Sequence, residues 1–351
     1  MDVLPTRALR AIAAGLGALV LCVAAPPRSA GAASSAFDVP AETVVAITIP
    51  ASARGADVTI RSWDRPQIQV ESDGADPSVT RRLVIYGTVR YPLAQEIPAG
   101  VFRRRVNGQD VGTVTLPPEV FPYASFRAGP HDYMMVDVTE PARMTITVPT
   151  STALLLVRAS SGKTEIEGYR GANLVVGQGG GRVDIEDSDT TAFVQMNTGN
   201  VWIEDSTFRR VRVRVNAAQV AFERCRSTQI EASSVSGTIV YDGGWFEPGL
   251  ARFDSQSGNI ALGVSSPAQV TGRSQGGRVY ALFDRRPGEN VEQRGENDAT
   301  AIFGSGGPLV NAVTQRGNVY LYDGSAARGR RERRLPEYFS GSSPPRRPGG
   351  P

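Results

Sequence analysis

Residues 181–203 read GRVDIEDSDTTAFVQMNTGNVWI, which is one complete repeat followed by the start of the next. A glycine leads each unit, and apolar residues follow two and four positions later, at Val183 and Ile185 and then at Val201 and Ile203. Side chains that alternate with a period of two lie on one face of a strand, and an apolar face must be buried. The stretch therefore predicts short, half-buried β-strands that recur at a regular interval.

The same unit recurs along most of the chain. Its lead positions are Gly162, Gly181, Gly199, Ala218, Gly237, Gly258, Gly277 and Gly317, at intervals of 19, 18, 19, 19, 21, 19 and 40 residues. Near 12 and 14 positions after the lead, the predicted inward residues are Leu174, Val176, Phe193, Val211, Val213, Ile230, Ala232 and Val270. Extended backwards from Ala142 and Ala56, the template predicts inward residues at Met144, Ile146, Leu154, Leu156, Val58, Ile60, Ile68 and Val70.

A two-strand unit of about 19 residues cannot bury its own apolar face, but stacked units can share one core. The sequence therefore predicts an all-β, single-chain parallel β-solenoid, similar to a β-helix, with two strands per coil. An antiparallel meander, as in a sandwich or propeller, is the alternative. Residues 80–130 interrupt the pattern and contain Asn107-Gly108, a turn signal between two strands, so they are predicted to be an insertion with its own hairpin.

The two ends of the chain differ from the middle. Residues 1–32 have Arg7 and Arg10 before a short apolar run, which predicts a signal peptide cleaved before Ala33, with a retained anchor as the alternative. Residues 325–351 carry seven Arg and two Glu and are predicted to be a disordered tail. Residues 33–324, the predicted repeat domain, hold 28 basic and 32 acidic residues, so their net charge of −4 predicts no nucleic-acid surface.

These features predict export through the secretory pathway to the periplasm, the cell surface or the extracellular space. The mature chain is predicted not to span a membrane, because no further apolar run is long enough. Cleavage would also remove Cys22 and leave Cys225 without a partner for an intramolecular disulfide. The oligomeric state does not follow from the sequence.

Several repeats carry a Ser or Thr before the lead glycine and a Val or Ile soon after it. The matching segments are Ser161-Gly162-Lys163-Thr164, Thr198-Gly199-Asn200-Val201, Ser236-Gly237-Thr238-Ile239 and Ser257-Gly258-Asn259-Ile260. Together with residues 56–70 and 146–149, they resemble the bacterial "putative adhesin" domain-of-unknown-function family of secreted β-strand repeat proteins. The resemblance covers about residues 44–323 apart from the insertion. It implies an envelope-associated β-repeat protein without assigned catalysis.

In a parallel stack, five carboxylates would form one outward column. They belong to Glu167, Glu186, Glu204, Glu223 and Asp242. A hard cation such as Ca²⁺ prefers oxygen ligands and would relieve the repulsion within the column. The candidate ligands are Glu186, Glu204, Asp187 and Asp205. The prediction, however, is a solvated acidic face balanced by Lys163 and Arg182, with no metal bound, because exposed charge pairs and columns usually contribute little energy.

Two further sets of outward residues are candidate ligand faces. Arg210, Arg212 and Arg214 alternate with valines along one strand, where guanidinium groups could hold an acidic polymer or could simply protect an exposed sheet. Trp202, Tyr280 and Tyr320 each follow a lead by three positions, where their rings could stack on sugars or be covered by neighbouring coils.

The predicted function is an adhesin-like binding or scaffold role without catalysis, and no cofactor is predicted. The expected partner is a cell-surface glycan or another envelope protein. A polysaccharide-degrading enzyme remains an alternative through Arg182, Asp184 and Glu186, because β-helix enzymes use clustered carboxylates, and a self-assembling scaffold is another. His131 is predicted to lie in an exposed loop, and Cys225 to be an inert side chain in a turn.

Overall fold

The computed structural model describes residues 33–74, 78–85, 102–106, 109–113, 130–282 and 290–324. The predicted signal peptide and basic tail lie outside these ranges, as does most of the insertion. The strands are β1 Ala33–Asp38, β2 Val44–Ile49, β3 Asp57–Trp63, β4 Gln67–Ser72, β5 Ser78–Ile85, β6 Phe102–Val106, β7 Gln109–Thr113, β8 Pro130–Asp137, β9 Arg143–Pro149, β10 Leu154–Glu167, β11 Asn173–Glu186, β12 Asp189–Glu204, β13 Thr207–Glu223, β14 Arg226–Ser234, β15 Ile239–Ser255, β16 Ile260–Val264, β17 Ala268–Ser274, β18 Val279–Leu282, β19 Asn290–Gln293, β20 Asp298–Phe303, β21 Leu309–Thr314 and β22 Val319–Asp323.

A single 3₁₀ turn, Ala51–Ala53, is the helical element of the described ranges. No described helix is long and apolar enough to cross a bilayer. The fold is therefore all-β, as predicted.

Successive repeat units pair in parallel and in register. Gly162 of β10 lies opposite Gly181 of β11, and Ile185 of β11 lies opposite Ile203 of β12. Two rows of strands result, and the long strands β10 to β13 and β15 contribute a segment to each. The lead row has the order β1-β4-β9-β3-β10-β11-β12-β13-β15-β16-β22-β18. The second row has the order β5-β8-β2-β10-β11-β12-β13-β14-β15-β21-β17-β20-β19. The sheet is large and mostly parallel, which confirms the predicted direction of pairing.

The alternating apolar residues form the main core. Ile185, Ile203 and Phe222 are fully buried, and the residues predicted after Ala56 are buried with them. Two inward assignments are wrong by one position. Leu155 and Val157 enter the main core instead of Leu154 and Leu156, which are buried outside it.

The same kind of shift occurs at Phe193, since Ala192 and Val194 enter the core while Phe193 lies opposite Arg212 on the outer face. The physical reason is the length of the unit. The lead interval is 20 residues from Ala142 to Gly162 and 18 residues from Gly181 to Gly199. Counting a fixed 12 and 14 positions from the lead therefore misplaces the inward residues by one position in those units.

Near each end of the described chain, two strands lie between repeat units that follow one another in the sequence. Strands β2 and β3 pair with β10 on one side and with β8 and β9 on the other, so residues 44–63 separate residues 130–149 from β10. Likewise β21 and β22 lie between the pair β15 and β16 and the pair β17 and β18. The stack therefore departs from chain order at each end.

Antiparallel strands cover one end of the lead row and both ends of the second row, where β5 pairs with β8 at one of them. Strands β4 and β1 continue the lead row beyond β9, and β20 and β19 continue the second row beyond β17. The predicted hairpin is confirmed, because β6 and β7 pair antiparallel with Val106 opposite Gln109. The loop assignment of His131 is wrong, since it lies in β8 opposite Val84 of β5.

Candidate functional site

A groove of about 510 Å³ lies on the outer surface. It is located where the individual strand segments of the second row end and the chain continues towards the next lead residue. We call it the polar groove. Its lining residues are Gln195, Met196, Asn197, Arg214, Val215, Asn216, Ser233, Ser234, Val235, Arg252, Asp254, Ser255, Gln256, Gln275, Val313 and Gln315. Its volume is in the range of ordinary ligand sites.

Strand register explains the shape of the polar groove. Half-buried residues form one wall, in which Gln195, Arg214, Ser233, Asp254 and Val313 follow one another across β12, β13, β14, β15 and β21. Inward residues such as Met196, Val215 and Ser234 form the floor. Five strands at about 4.8 Å spacing give this wall a length of about 19 Å.

Exposed residues two positions before each lead form the other wall. They are Asn197, Asn216, Val235, Gln256, Gln315 and Gln275. Asn216 donates a hydrogen bond through Nδ2 to Oδ1 of Asn197 at 3.0 Å, so the amides of neighbouring strands are in contact. Val235, which is 44 % exposed, is an apolar surface within this amide column.

Charges in the polar groove are few and nearly balanced. Arg252 donates through Nε to Oδ2 of Asp254 at 2.5 Å, and Arg214 adds a second guanidinium. On the floor, the Ser234 hydroxyl is buried and has no hydrogen-bond partner among the described residues. The site can therefore offer amide and hydroxyl donors and acceptors over a shallow polar surface.

Of the groove residues, Arg214 was predicted from the sequence as part of a ligand face. The amide column, formed by Asn197, Asn216, Gln256, Gln315 and Gln275, was not predicted. The signal was present in the sequence, because an Asn or Gln stands two positions before five of the leads from Gly199 onward. Those residues are adjacent in space only because the units stack in register. Stacking of the strands thus places the periodic Asn and Gln residues side by side on one continuous surface.

The other two arginines of the predicted ligand face have protein partners. Arg212 pairs with Glu231 on the next strand, with Nε 2.9 Å from Oε2, and Arg210 donates through Nε to Oε1 of Gln229 at 2.5 Å. Burial raises the pKa of Glu231, but the hydrogen bond and charge of Arg212 outweigh it, so the pKa lies below its ordinary value. Only Arg214 of the three lines the polar groove.

The predicted aromatic ligand face is largely enclosed. Tyr320 is 4 % exposed and stacks on Tyr280 with ring centroids 5.2 Å apart. Trp202 is half-buried in the same cluster, which also contains Val240 and Ala261. For Tyr320 the structure therefore agrees with the alternative that neighbouring coils cover the ring, because large rings from adjacent strands cover one another on the outer face.

The acidic column is formed as predicted, since Glu167, Glu186, Glu204 and Glu223 lie opposite one another on successive strands. However, arginines pair with three of its carboxylates, those of Glu167, Glu204 and Glu223. Arg224 pairs with Glu204 and with Asp205, with Nε 2.7 Å from Oδ1 of Asp205.

The positions that adjoin the acidic column are also paired. Asp187, beside the column, pairs with Arg170, with Nη2 3.2 Å from Oδ1, and Glu167 of the column itself pairs with Arg61. Lys163 and Arg182, the expected counter-ions, bind Glu165 and Asp184 on their own strands instead. The described residues contain no group of acidic, His or Cys side chains placed to hold a metal ion.

Arg224 takes its position because the chain turns there. It has φ of 50°, and Asp187 and Asp205 have the same left-handed conformation at the corresponding turns. The hydrogen bond to Asp205 raises the pKa of Arg224 further above its ordinary value. The guanidinium thus supplies the positive charge that the acidic column requires.

In the candidate enzymatic cluster, Arg182 and Glu186 are half-buried, and the carboxylate of Asp184 is enclosed. Asp184 is fully buried and bonded to Arg182, with Oδ1 2.7 Å from Nε, while Oδ2 has no hydrogen-bond partner among the described residues. Burial raises the pKa of Asp184, and Arg182 partly offsets this effect. Cys225 is a buried free thiol whose pKa burial raises to about 12.

No protein-family model matches this chain, and no curated protein matches it. A crystal structure of a "putative cell adhesion protein" from Clostridium sporogenes is similar to it, with a TM-score of 0.21 and 9 % sequence identity. The similarity covers 83 % of this chain and 99 % of that chain. A likeness this weak carries no argument about site or function.

Proposed function

We propose that this protein is an exported, non-enzymatic binding protein of the cell envelope, with an adhesin-like role. We also propose that its repeats form a parallel β-solenoid. The in-register pairing of units one period apart and their single shared core support the solenoid. The apolar segment and arginines of residues 1–32 support export.

The polar groove carries the binding role. It is about 510 Å³ in volume and is lined by amides, hydroxyls and three charged groups, which can donate hydrogen bonds to a polar partner and accept them from it. The alternative function, a polysaccharide-degrading enzyme that uses clustered carboxylates, receives less support. Asp184 is enclosed and paired with Arg182, so it is not placed to reach a substrate.

Binding to an array that carries envelope glycans and envelope proteins tests this function. The informative variant is Ser233→Trp, because Ser233 lies in the middle of one wall and a large ring there would fill the groove. The matched control is Arg209→Trp, which puts the same ring at an exposed position on β13 outside the groove. We expect Ser233→Trp to abolish capture and Arg209→Trp to retain it. Equal capture by both variants would contradict a binding role for the groove.

A further inference from the structure

We propose that the polar groove binds a linear, polyhydroxylated polysaccharide that lies along the stacking direction, with about one sugar residue over each strand. This inference rests on the binding function proposed above and names its ligand. It depends on three properties of the groove: its repeat distance, its hydrogen-bonding groups and its lack of large anchors.

The repeat distance comes from the strands. Asn197, Asn216, Val235 and Gln256 stand at corresponding positions of successive units, so their spacing is one inter-strand distance of about 4.8 Å. A sugar residue in an extended glycan advances by a similar distance. A polymer parallel to the stack would therefore place about one sugar residue beside each strand, with its hydroxyl groups within reach of the wall.

The hydrogen-bonding groups suit hydroxyls. An amide side chain offers two N–H donors and a carbonyl acceptor, so each can both donate to and accept from a sugar hydroxyl. Exposed Val235 offers an apolar surface between amides, which suits the C–H face of a sugar ring. With Arg252 held by Asp254, the groove does not require a strongly charged polymer.

An extended peptide fits less well. Peptides that add to a sheet bind through free backbone groups at an edge. Along this groove the backbone already bonds from strand to strand, with Ser236 N donating to Asn216 O at 2.7 Å and Gln256 N donating to Ser234 O at 3.0 Å. Protein interfaces also depend on buried aromatic anchors, and the lining residues contain no aromatic side chain.

Calorimetry with two series of linear oligosaccharides, from two to eight residues, tests the proposal. The probes are β-1,4-linked glucose oligomers and uronic acid oligomers of the same lengths. We expect affinity to rise about three- to tenfold per added sugar up to about five sugars and then to level off, since five strands form the wall that begins at Gln195 and ends at Val313. Tighter binding of the glucose oligomers would indicate a neutral polymer, and tighter binding of the uronic acid oligomers would indicate an acidic one.

Matched variants locate the binding. Asn216→Ala and Gln256→Ala should each weaken the five-sugar ligand about tenfold, while Gln269→Ala, which removes an amide outside the groove, should leave the affinity unchanged. Each variant should keep the melting temperature of the parent protein. Affinity that does not grow with length, or that survives both groove substitutions, would overturn the polysaccharide. If Ser233→Trp still blocked capture of an envelope protein, the binding function would stand and only the ligand would be wrong.

Discussion

Gly181 packs against the backbone of Gly162 so closely that a Cβ atom on Gly181 would lie 2.2 Å from the Gly162 carbonyl oxygen. Both residues have positive φ, of 101° and 124°. The next lead repeats the relationship, since a Cβ on Gly199 would lie 2.0 Å from the Gly181 carbonyl oxygen. At these three leads the glycine therefore lies at a bend within a long strand, where neighbouring units approach too closely for a side chain.

Replacing Gly199 with Ala should destabilise the protein by about 3 kcal/mol or more. The new methyl group meets a backbone carbonyl, and φ of 118° is unfavourable for alanine. Chemical denaturation measures the loss. Ala218→Gly at the corresponding lead position is the control and should cost only about 1 kcal/mol. A Gly199→Ala protein as stable as the control would contradict the close packing.

Replacing Ile203 with Asp should cost at least about 3 kcal/mol, because it places a carboxylate in the fully buried core. The control Ile203→Val removes one methyl group at the same site and should cost about 1 kcal/mol. Thermal unfolding compares the two variants. Similar melting temperatures for both would mean that Ile203 does not face the core.

The ion pairs of Arg224 should contribute more than a surface pair does. Arg224→Gln leaves the 6 %-exposed Glu204 without its cation, and we expect a loss of about 2 kcal/mol. The double variant with Glu204→Gln should recover part of that loss, which a double-mutant cycle measures. Arg170→Gln is the control, because its partner Asp187 is largely exposed, and it should change stability by less than about 0.5 kcal/mol. Additive effects of the Arg224 and Glu204 substitutions would disprove their coupling.

Two buried or half-buried carboxylates should give opposite pH dependences. The pKa of Asp184 is raised above 3.8 in the folded state, so its charge costs stability as the pH rises through the folded pKa. The pKa of Glu231 is lowered below 4.5, so its charge adds stability that is lost as the pH falls through the folded pKa.

Urea unfolding between pH 3 and pH 7 tests this contrast. Relative to the parent protein, Asp184→Asn should gain stability as the pH rises, and Glu231→Gln should lose stability over the same range. The pH-dependent differences should disappear below the unfolded pKa of Asp184 and below the folded pKa of Glu231, where each carboxyl is protonated in both states. Slopes of the same sign would show that one of the two assignments is wrong.

The sequence predicts those parts of the fold that depend on local pattern. Alternation at Val183 and Ile185 identifies a strand and its buried face, and the repeated lead glycine identifies the period. One extra residue before Gly162 is enough to exchange the faces of Leu154 and Leu155, because side chains alternate at every residue.

The order of the stack cannot be read from the sequence. The 40-residue interval before Gly317 is compatible with a final unit at the end of the stack, whereas β22 lies between β16 and β18. Similarly, the contact of Arg224 with Glu204 depends on which turn lies above which. For the polar groove, the sequence shows that the lining residues repeat. Only the stacking of the strands shows that these residues are adjacent and form one surface.

Site-specific photo-crosslinking tests the binding groove most directly. A benzophenone amino acid replaces Val235 in the polar groove in one protein and Leu250 outside it in another, and each of these residues is 44 % exposed. Both proteins are irradiated with the polysaccharide fraction of the cell envelope, and the adducts are analysed for carbohydrate by mass spectrometry. We expect a carbohydrate adduct at position 235 and none at position 250. Equal labelling at the two positions, or labelling at position 250 alone, would contradict this expectation.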